Sequence, residues 1–378
     1  MLHSSDNKPA FSAFGTFSQK LTPIYPRLKP GLLVIAVNSE EFYIGENSSG
    51  VYIPTDPYLA VVRGCDGLHS SHSIADLCAI PHGLVLHLLE ELQNHNYIEI
   101  RSEPQKDPGL DELAIHYQER TAPEHQLFTW REKTSDGGEG EVRDRKNFVI
   151  FIFGQNRLAR ALLANLQASG FSQAKIISPI ADAGARIKAQ DICGITTKPS
   201  DIGRKLSEFH KEIALTSQLT QAGDDSFSHA HSELKTRLII STSASTSDYV
   251  QNWLSEGIPH LQISQLTTHT IEIGPLVIPG VQACLNCVQL HRRDFLPPFI
   301  PVAALDNLHQ RGRELTSAST SFTAGVVTPY ICEFATRGTS PLVGTSLTID
   351  LLEPLHGIRK HHWNVHPECG CGSSNSLI

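Results

Sequence analysis

Two close pairs of cysteines constrain this chain more than any other feature. Cys284 and Cys287 are spaced C-x2-C just after a Pro-Gly turn, and Cys369 and Cys371 form a C-x-C near the C-terminus. Four thiolates in this arrangement can surround one tetrahedral zinc ion. A disulfide and ordinary buried thiols are the alternatives, but half of the eight cysteines fall into these pairs, which favours zinc.

Length and composition indicate a globular protein of two domains. The chain has 378 residues, of which 40% are hydrophobic and 19% are charged, and a single core rarely grows to that size. The formal charge of -8 argues against a nucleic-acid binder that depends on phosphate contacts.

The predicted compartment is the cytoplasm. The segment Met1–Pro9 has no apolar stretch, and no run of about 18 apolar residues occurs, so we expect neither a signal peptide nor a membrane span. Cysteines stay reduced in the cytoplasm, which again favours a metal over disulfides.

Residues 1–23 are polar without periodicity and predict a loose arm, and residues 24–103 predict a small α+β domain. Three short apolar runs separated by turn residues indicate an antiparallel meander. These runs are Leu32–Val37, Phe42–Gly45 and Val51–Ile53.

Helices and one more strand follow the meander. Ser73 and Asp76 suggest a capping box that opens a short helix. Gly83–Asn94 has apolar residues at helical spacing, and Tyr97–Ile100 returns as a strand. Strands, helices and a closing strand indicate a winged-helix-like domain. The apolar helical positions are Val85, Leu88, Leu89 and Leu92.

Three uses of this domain are open: DNA binding, a structural role and peptide recognition. Its third helix is poor in Lys and Arg and carries Glu90 and Glu91, whereas DNA contact requires positive charge. The edge of the small sheet could pair with an extended peptide. Peptide or protein recognition is therefore favoured over DNA.

Residues 104–146 are rich in Glu, Arg, Asp and Gly, and predict a linker with one apolar island at Leu127–Trp130. Residues 147–378 predict an α/β domain. The apolar run Phe148–Phe153 has the length of a buried strand, it ends in Gly154, and a helical pattern follows. A strand, a glycine and a helix in this order are typical of the start of a doubly wound, Rossmann-type fold. Further strands are predicted at Ala174–Ser178, Arg237–Ser241 and Pro259–Ile263, further helices at Ile202–Leu215 and Tyr249–Leu254, and an exposed loop at 216–235.

The remainder of this domain contains the cysteine pairs. Thr270–Ile273 and Leu276–Ile278 predict a hairpin around Gly274-Pro275, and Ser317–Thr336 predicts a helix that Pro329 would kink or break. Other helices are predicted at Val288–Arg293 and Val302–Gln310, and closing strands at Thr345–Leu351 and Gly357–Val365.

These motifs resemble a known superfamily. Gly274-Pro275-Leu276-Val277 is followed by a Pro-Gly turn, by Cys-Leu-x-Cys and, far along the chain, by Trp363, His366-Pro367 and the C-x-C pair. The pattern is similar to ThiF-like members of the ubiquitin-activating-enzyme superfamily (ThiF/MoeB). It resembles most the divergent actinobacterial ThiF-like proteins and the cyclodehydratase-associated proteins of ribosomal-peptide modification. The resemblance covers residues 146–371, and it implies a homodimer and a peptide-recognition domain in front.

The resemblance also implies a nucleotide site, which this chain matches poorly. Family members have three glycines in the turn after the first strand, where the backbone approaches phosphates; here only Gly154 is present, and Arg157 could meet an anion. The family's ribose-binding acid has only Asp182 as a misplaced substitute. Arg204 and Lys205 match the segment that brings a basic side chain to the nucleotide, although a capped helix with exposed basic residues explains them equally well.

The remaining chemistry is equally sparse. Hydroxyl side chains replace the magnesium-binding aspartate after Ile240, and hydroxyl groups bind magnesium weakly, so the sequence argues against an ATP–magnesium site. Cys332 matches the thiol with which some relatives receive an activated carboxyl, but its apolar helical context favours core packing. A histidine could replace one cysteine as a zinc ligand, and the candidates are His361, His362 and His366. Four thiolates already complete the tetrahedral coordination of zinc, however.

Two functions follow from these predictions. In the first, the chain is a ThiF-like zinc scaffold that captures a peptide or small protein for a partner modifying enzyme. In the second, it is an ATP-dependent adenylyltransferase that activates the C-terminal carboxylate of a small protein or peptide.

Overall fold

The computed structural model describes residues 23–46, 49–104, 112–131, 138–177, 185–193, 196–215, 237–242, 247–295 and 315–371. The predictions for residues 1–22 of the arm, the loop 216–235 and the helix Val302–Gln310 lie outside these ranges. The chain divides into two compact units, one within Met1–Leu110 and Ala122–Glu139, the other within Asp111–Thr121 and Gly140–Ile378. Within the described residues, no helix combines the length and apolar character that crossing a membrane requires.

The strands of the first unit form two small antiparallel sheets. The predicted meander is confirmed, with strand order β2-β3-β4. The predicted strand near residue 98 is also confirmed, and its partner β1 was not predicted. The strands are β1 (Tyr25–Leu28), β2 (Leu33–Ala36), β3 (Glu41–Gly45), β4 (Gly50–Pro54) and β5 (Ile98–Arg101).

Three helices pack on these strands. They are α1 (Tyr58–Gly64), α2 (Ser71–Cys78) and α3 (His82–Asn94). The predicted capping box at Ser73 is wrong, because the N-cap of α2 is Ser70, whose Oγ accepts from the Ser73 amide at 3.1 Å. The predicted apolar face of α3 is confirmed, since all four of its leucine and valine positions are at most 1% exposed.

The predicted linker contains two helices, α4 (Glu112–Arg131) and α5 (Glu139–Asp144). Its charged composition obscured them, although Glu, Gln, Leu and Ala are good helix formers. The apolar island lies in α4: Phe128 is 7% exposed, and Trp130 Nε1 donates to the Pro30 carbonyl at 3.0 Å.

The second unit is built on a seven-stranded sheet with the order β12-β11-β10-β9-β8-β6-β7. Strands β7, β6, β8 and β9 run parallel, and β10, β11 and β12 continue antiparallel. Apolar runs such as β6 suit parallel strands covered on both faces. The strands are β6 (Val149–Phe153), β7 (Ala174–Ile177), β8 (Arg237–Ser241), β9 (His260–Gln265), β10 (Thr270–Val277), β11 (Thr345–Asp350) and β12 (Ile358–His362).

In the described part of the second unit, five helices accompany this sheet. They are α6 (Arg157–Ala168), α7 (Leu206–Leu215), α8 (Ser247–Ser255), α9 (Leu285–Phe295) and α10 (Ser317–Arg337). The helix predicted from Ile202 begins later, at Leu206, because Pro199–Asp201 forms a separate 3-10 turn. Pro329 does not break α10, which continues through it. The core between α6, α10 and the sheet includes Leu162, Val327 and Ile331.

The predicted hairpin around Gly274-Pro275 is wrong. Thr270–Val277 is one strand, which pairs with β9 on both sides of a register shift between Ile273 and Leu276. Gly274 has φ +102°, and a Cβ there would lie 2.5 Å from the Thr345 carbonyl oxygen. A Gly-Pro pair thus marks a bulge here, where the neighbouring strand approaches too closely for a side chain.

Candidate metal centre and the β6–α6 turn

The four paired cysteines converge in the second unit. Cys284 precedes α9 and Cys287 lies in its first turn, while Cys369 and Cys371 follow β12. Apolar groups surround them, including Val277 and Trp363. Among the described residues, these four are the group that could hold a metal ion, with all ligand atoms within 4.8 Å of one another.

The sulfur separations fit a tetrahedral ion. The Sγ atoms of Cys284 and Cys287 lie 3.8 Å apart, those of Cys284 and Cys369 3.6 Å, and those of Cys287 and Cys371 3.3 Å. Zinc–sulfur bonds of about 2.3 Å at tetrahedral angles require sulfur atoms about 3.8 Å apart, whereas a disulfide needs about 2.05 Å. All eight cysteines are described and none forms a disulfide. The donor set therefore fits zinc.

Among the four thiols, Cys369 loses its proton most easily. Burial raises the pKa of Cys284, and it raises the pKa of Cys371 to about 11. Burial acts in the same direction on Cys369, but hydrogen bonds from the Cys371 amide and the Asn286 side chain outweigh it and lower its pKa to about 7. Asn286 Nδ2 lies 3.3 Å from Cys369 Sγ. A bound cation would favour the thiolate form of all four.

His366 supports the site without being available as a ligand. Its Nε2 lies 2.8 Å from Asp294 Oδ2, and its Nδ1 accepts from the Glu368 amide at 3.1 Å. Both ring nitrogens are engaged, while His361 and His362 lie on the exposed strand β12. Sequence reasoning missed the Asp294 partner, because 72 residues separate the two side chains.

The β6–α6 turn lies at the point where the strand order reverses. From β6 the chain goes first to β7 on one side and then to β8 on the other, and open α/β sheets bind ligands beyond the carboxyl ends of strands at such a position. Gly154 has φ +145°, and a Cβ there would lie 2.2 Å from Thr242 Oγ1. The single glycine of the turn is therefore required by Thr242 at the end of β8.

Side chains in this turn are engaged with the protein itself. Asn156 caps α6, accepting from the Ala159 amide at 2.9 Å and donating to the Thr242 carbonyl at 2.8 Å. Arg157 Nη1 donates to the Leu315 carbonyl at 2.9 Å. The arrangement therefore directs Arg157 to a backbone oxygen.

A buried arginine next to this turn was missed by sequence reasoning. Arg160 is completely buried and donates to the Gln155 carbonyl at 2.8 Å and to Asp191 Oδ1 at 3.1 Å. Its position within the apolar pattern of α6 concealed it, and an Arg on the buried face of a helix was the signal available.

The two other predicted nucleotide residues are paired with carboxylates. Arg204 contacts Asp201 at 2.8 Å and also Glu212, and Lys205 lies 3.2 Å from Glu208. Hydrogen bonds to Glu212 and Asp201 raise the pKa of Arg204. The prediction for Asp182 lies outside the described residues.

Two of the other cysteines, Cys332 and Cys65, lie buried in hydrophobic cores. Cys332 is 7% exposed within the main core, as its apolar context predicted. Burial raises the pKa of Cys65, which disfavours its nucleophilic thiolate form.

Comparison with known proteins identifies the fold. No protein-family model and no curated protein matches the sequence. E. coli MccB, crystallised with ATP, superposes with a TM-score of 0.60 at 13% identity, covering 92% of this chain and 99% of MccB. The microcin C7 biosynthetic enzyme MccB in complex with N-formylated MccA gives 0.59 at 12% identity, with the same coverage. PaaA gives 0.58 at 16% identity, covering 89% of this chain and 100% of PaaA.

This chain shares the fold of MccB and PaaA. The match covers 92% of this chain, more than either unit contains alone. At such low identity the likeness concerns the fold alone. The large sheet of the second unit, with four parallel strands, agrees with the predicted Rossmann-type α/β fold.

Proposed function

We propose that this protein is a ThiF-like zinc scaffold that binds a peptide or small protein and presents it to a partner modifying enzyme. The observation that carries the proposal is the β6–α6 turn, where the adenylation implied by the ThiF-like resemblance would need space for a nucleotide. Gly154 accommodates Thr242, and Asn156 and Arg157 bond to carbonyl oxygens of the chain. Nucleotide binding would have to displace these contacts.

The basic residues support the same conclusion. Arg204 and Lys205 are each within ion-pair distance of carboxylates, which reduces the positive potential that an incoming phosphate would meet. In this proposal the zinc ion is structural, because four protein thiolates leave no open position for a substrate. The protein would be cytoplasmic and, by family resemblance, a homodimer.

The N-terminal unit is the proposed peptide-binding element, as a winged-helix-like domain. The Val37 amide donates to the Glu41 carbonyl at 3.1 Å, so residues 33, 35 and 37 direct their backbone groups toward β3. In an antiparallel pair the intervening residues face the other way. The amides and carbonyls of Val34 and Ala36 therefore lie on the outer edge, where a peptide strand could pair with them.

Exposed apolar side chains favour this edge. Leu33, Ile35 and Val37 are 39%, 50% and 50% exposed, and the register aligns Ile35 with Tyr43 and Tyr52 in one row across the sheet. An apolar, exposed edge strand is prone to pairing with another chain. The opposite edge is less suitable, because Pro54 on β4 has no amide hydrogen.

The second candidate is an active adenylyltransferase. Its support is the likeness to MccB, which has been crystallised with ATP, over 92% of this chain. In that case the turn would rearrange on nucleotide binding, with Arg157 released to meet a phosphate.

Calorimetry with ATP and magnesium, and ATP–pyrophosphate exchange, separate the two candidates. MccB, which has been crystallised with ATP, is the positive control for the calorimetry. We expect no exchange and no ATP binding at micromolar concentration. Micromolar affinity or exchange above background would establish the enzyme instead.

A separate experiment tests peptide capture. A library of linear peptides is selected on the full-length protein, and the selected peptides are titrated into Ala36→Pro, which removes an outward-facing amide hydrogen. Affinity should fall about tenfold or more. The matched control Pro54→Ala alters the opposite edge and should bind as the wild type does. Equal binding by Ala36→Pro would contradict the proposed edge.

A further inference from the structure

Strand β12 forms one edge of the large sheet. It pairs with β11, and within the described part of the chain no strand lies on its other side. The Asp350 amide donates to the Gly357 carbonyl at 3.2 Å and the Trp363 amide to the Gly344 carbonyl at 2.8 Å. Because backbone bonding alternates along an antiparallel strand, these two bonds show that residues 357, 359, 361 and 363 direct their amides and carbonyls toward β11. The amides and carbonyls of Ile358, Lys360 and His362 therefore face outward.

The side chains of this strand are basic. Arg359, Lys360, His361 and His362 follow one another, and every residue of β12 is exposed. Within the described residues neither Arg359 nor Lys360 forms an ion pair. His361 lies against Trp363 with ring centroids 3.9 Å apart, and His362 Nδ1 is 3.2 Å from Thr345 Oγ1. Positive charge thus lines an edge that has no neighbouring strand among the described residues, in a protein whose formal charge is -8.

The same charges select among possible occupants. Two copies of β12 placed side by side would oppose Arg and Lys with Arg and Lys, and like charges in facing positions are destabilising. Charged edge strands commonly serve to prevent pairing between copies. A strand that carries carboxylates has the complementary charge and can also pair with the outward backbone groups. Nucleic acid carries negative charge, but it has no peptide amides and carbonyls with which to pair with the outward backbone groups of β12.

We propose that β12 binds an extended acidic segment of a partner protein by strand addition. Carboxylates at alternate positions of that segment lie on one side of the sheet, where they would face either Lys360 and His362 or, in the register shifted by one residue, Arg359 and His361. Apolar contacts are available at the start of the strand, where Leu352, Leu355 and Ile358 are 75%, 80% and 42% exposed. The occupant is thus an acidic strand with apolar residues toward one end.

The test uses full-length protein and a fluorescent ten-residue peptide that alternates Glu with Val, with a Lys–Val peptide as the charge control. Anisotropy is measured at low and at physiological salt. We expect the Glu–Val peptide to bind, the Lys–Val peptide not to bind, and Arg359→Glu with Lys360→Glu to weaken binding at least about tenfold.

A matched pair of variants separates strand addition from simple charge attraction. Lys360→Gln removes the charge, and Lys360→Pro removes the charge together with an outward amide hydrogen, leaving the bonds to β11 intact. The proline variant should bind several-fold more weakly than the glutamine variant. Zinc content and thermal unfolding report folding of both. Equal binding by the two variants, no binding of the Glu–Val peptide, or binding of a short DNA duplex in its place would each overturn the proposal.

Discussion

The Sγ atoms of Cys287 and Cys371 lie 3.3 Å apart although 84 residues separate them in the chain. The C-x2-C pair begins α9, and the C-x-C pair follows the edge strand of the sheet. An ion held by both pairs would connect the last residues of the fold to its middle. Because such a link joins distant segments, its loss should affect the whole C-terminal part.

The first prediction concerns metal removal. Purified protein should contain about one zinc per chain, and Cys284→Ser should lose it, because three thiolates bind far more weakly than four. Structural zinc contributes on the order of 10 kcal/mol of apparent binding energy, so the melting temperature should fall strongly. Metal analysis and calorimetry measure both effects. Cys78→Ser, outside the cluster, is the control and should keep its zinc; metal-free wild type would refute the site.

Gly154→Ala should destabilise the protein by at least about 2 kcal/mol, because the new Cβ meets Thr242 Oγ1 at 2.2 Å in a backbone conformation with φ +145°. Adding Thr242→Ala should recover part of that loss. Gly203→Ala is the matched control, since φ there is +87° with nothing within 4 Å, and it should cost only about 1 kcal/mol. Denaturant unfolding compares the three variants. Equal losses of unfolding free energy in Gly154→Ala and Gly203→Ala would show that the contact with Thr242 does not contribute to the effect.

Asp191→Ala should cost about 3–5 kcal/mol of unfolding free energy, because it leaves the completely buried Arg160 guanidinium without a counter-charge. Glu212→Ala removes a carboxylate from the more exposed Arg204 and should cost less than about 1 kcal/mol. Urea unfolding of both variants checks the difference. Similar losses of unfolding free energy in the two variants would show that burial does not strengthen the Arg160–Asp191 ion pair.

Stability should fall between pH 6.5 and pH 4 because of His260. Burial lowers the pKa of this 1% exposed ring to about 4, while its Nδ1 lies 2.9 Å from the Ile258 carbonyl. The unfolded state then binds a proton that the folded state refuses, so this stabilisation is complete above pH 6.5 and is lost as pH falls toward 4. The effect is on the order of 3 kcal/mol.

His260→Gln should flatten the slope of unfolding free energy between pH 5 and pH 7. His210, whose pKa burial also lowers to about 4, should account for part of the remaining slope. Zinc content is followed at each pH, so that metal loss is not mistaken for the histidine effect. An unchanged slope in His260→Gln would contradict the prediction.

The sequence by itself determined the features that depend on local pattern. Continuous apolar runs predicted β6 and β8, helical spacing predicted α3 and α6, and the C-x2-C and C-x-C pairs predicted the cluster that now lies within 4.8 Å. Periodicity is a property of neighbouring residues, and thiolate pairs have few other uses, so these signals did not need the fold.

Only the tertiary structure decided the features that depend on distant partners. Gly274-Pro275 has the composition of a turn, yet the approach of Thr345 from another strand makes it a bulge within β10. Arg204 has the charge to bind a phosphate, but in the structure it forms ion pairs with Asp201 and Glu212. Gly154 suggests a phosphate loop until Thr242 is found against it, 88 residues away. Contacts across the chain fix backbone conformation and neutralise charge, and neither can be read from adjacent residues.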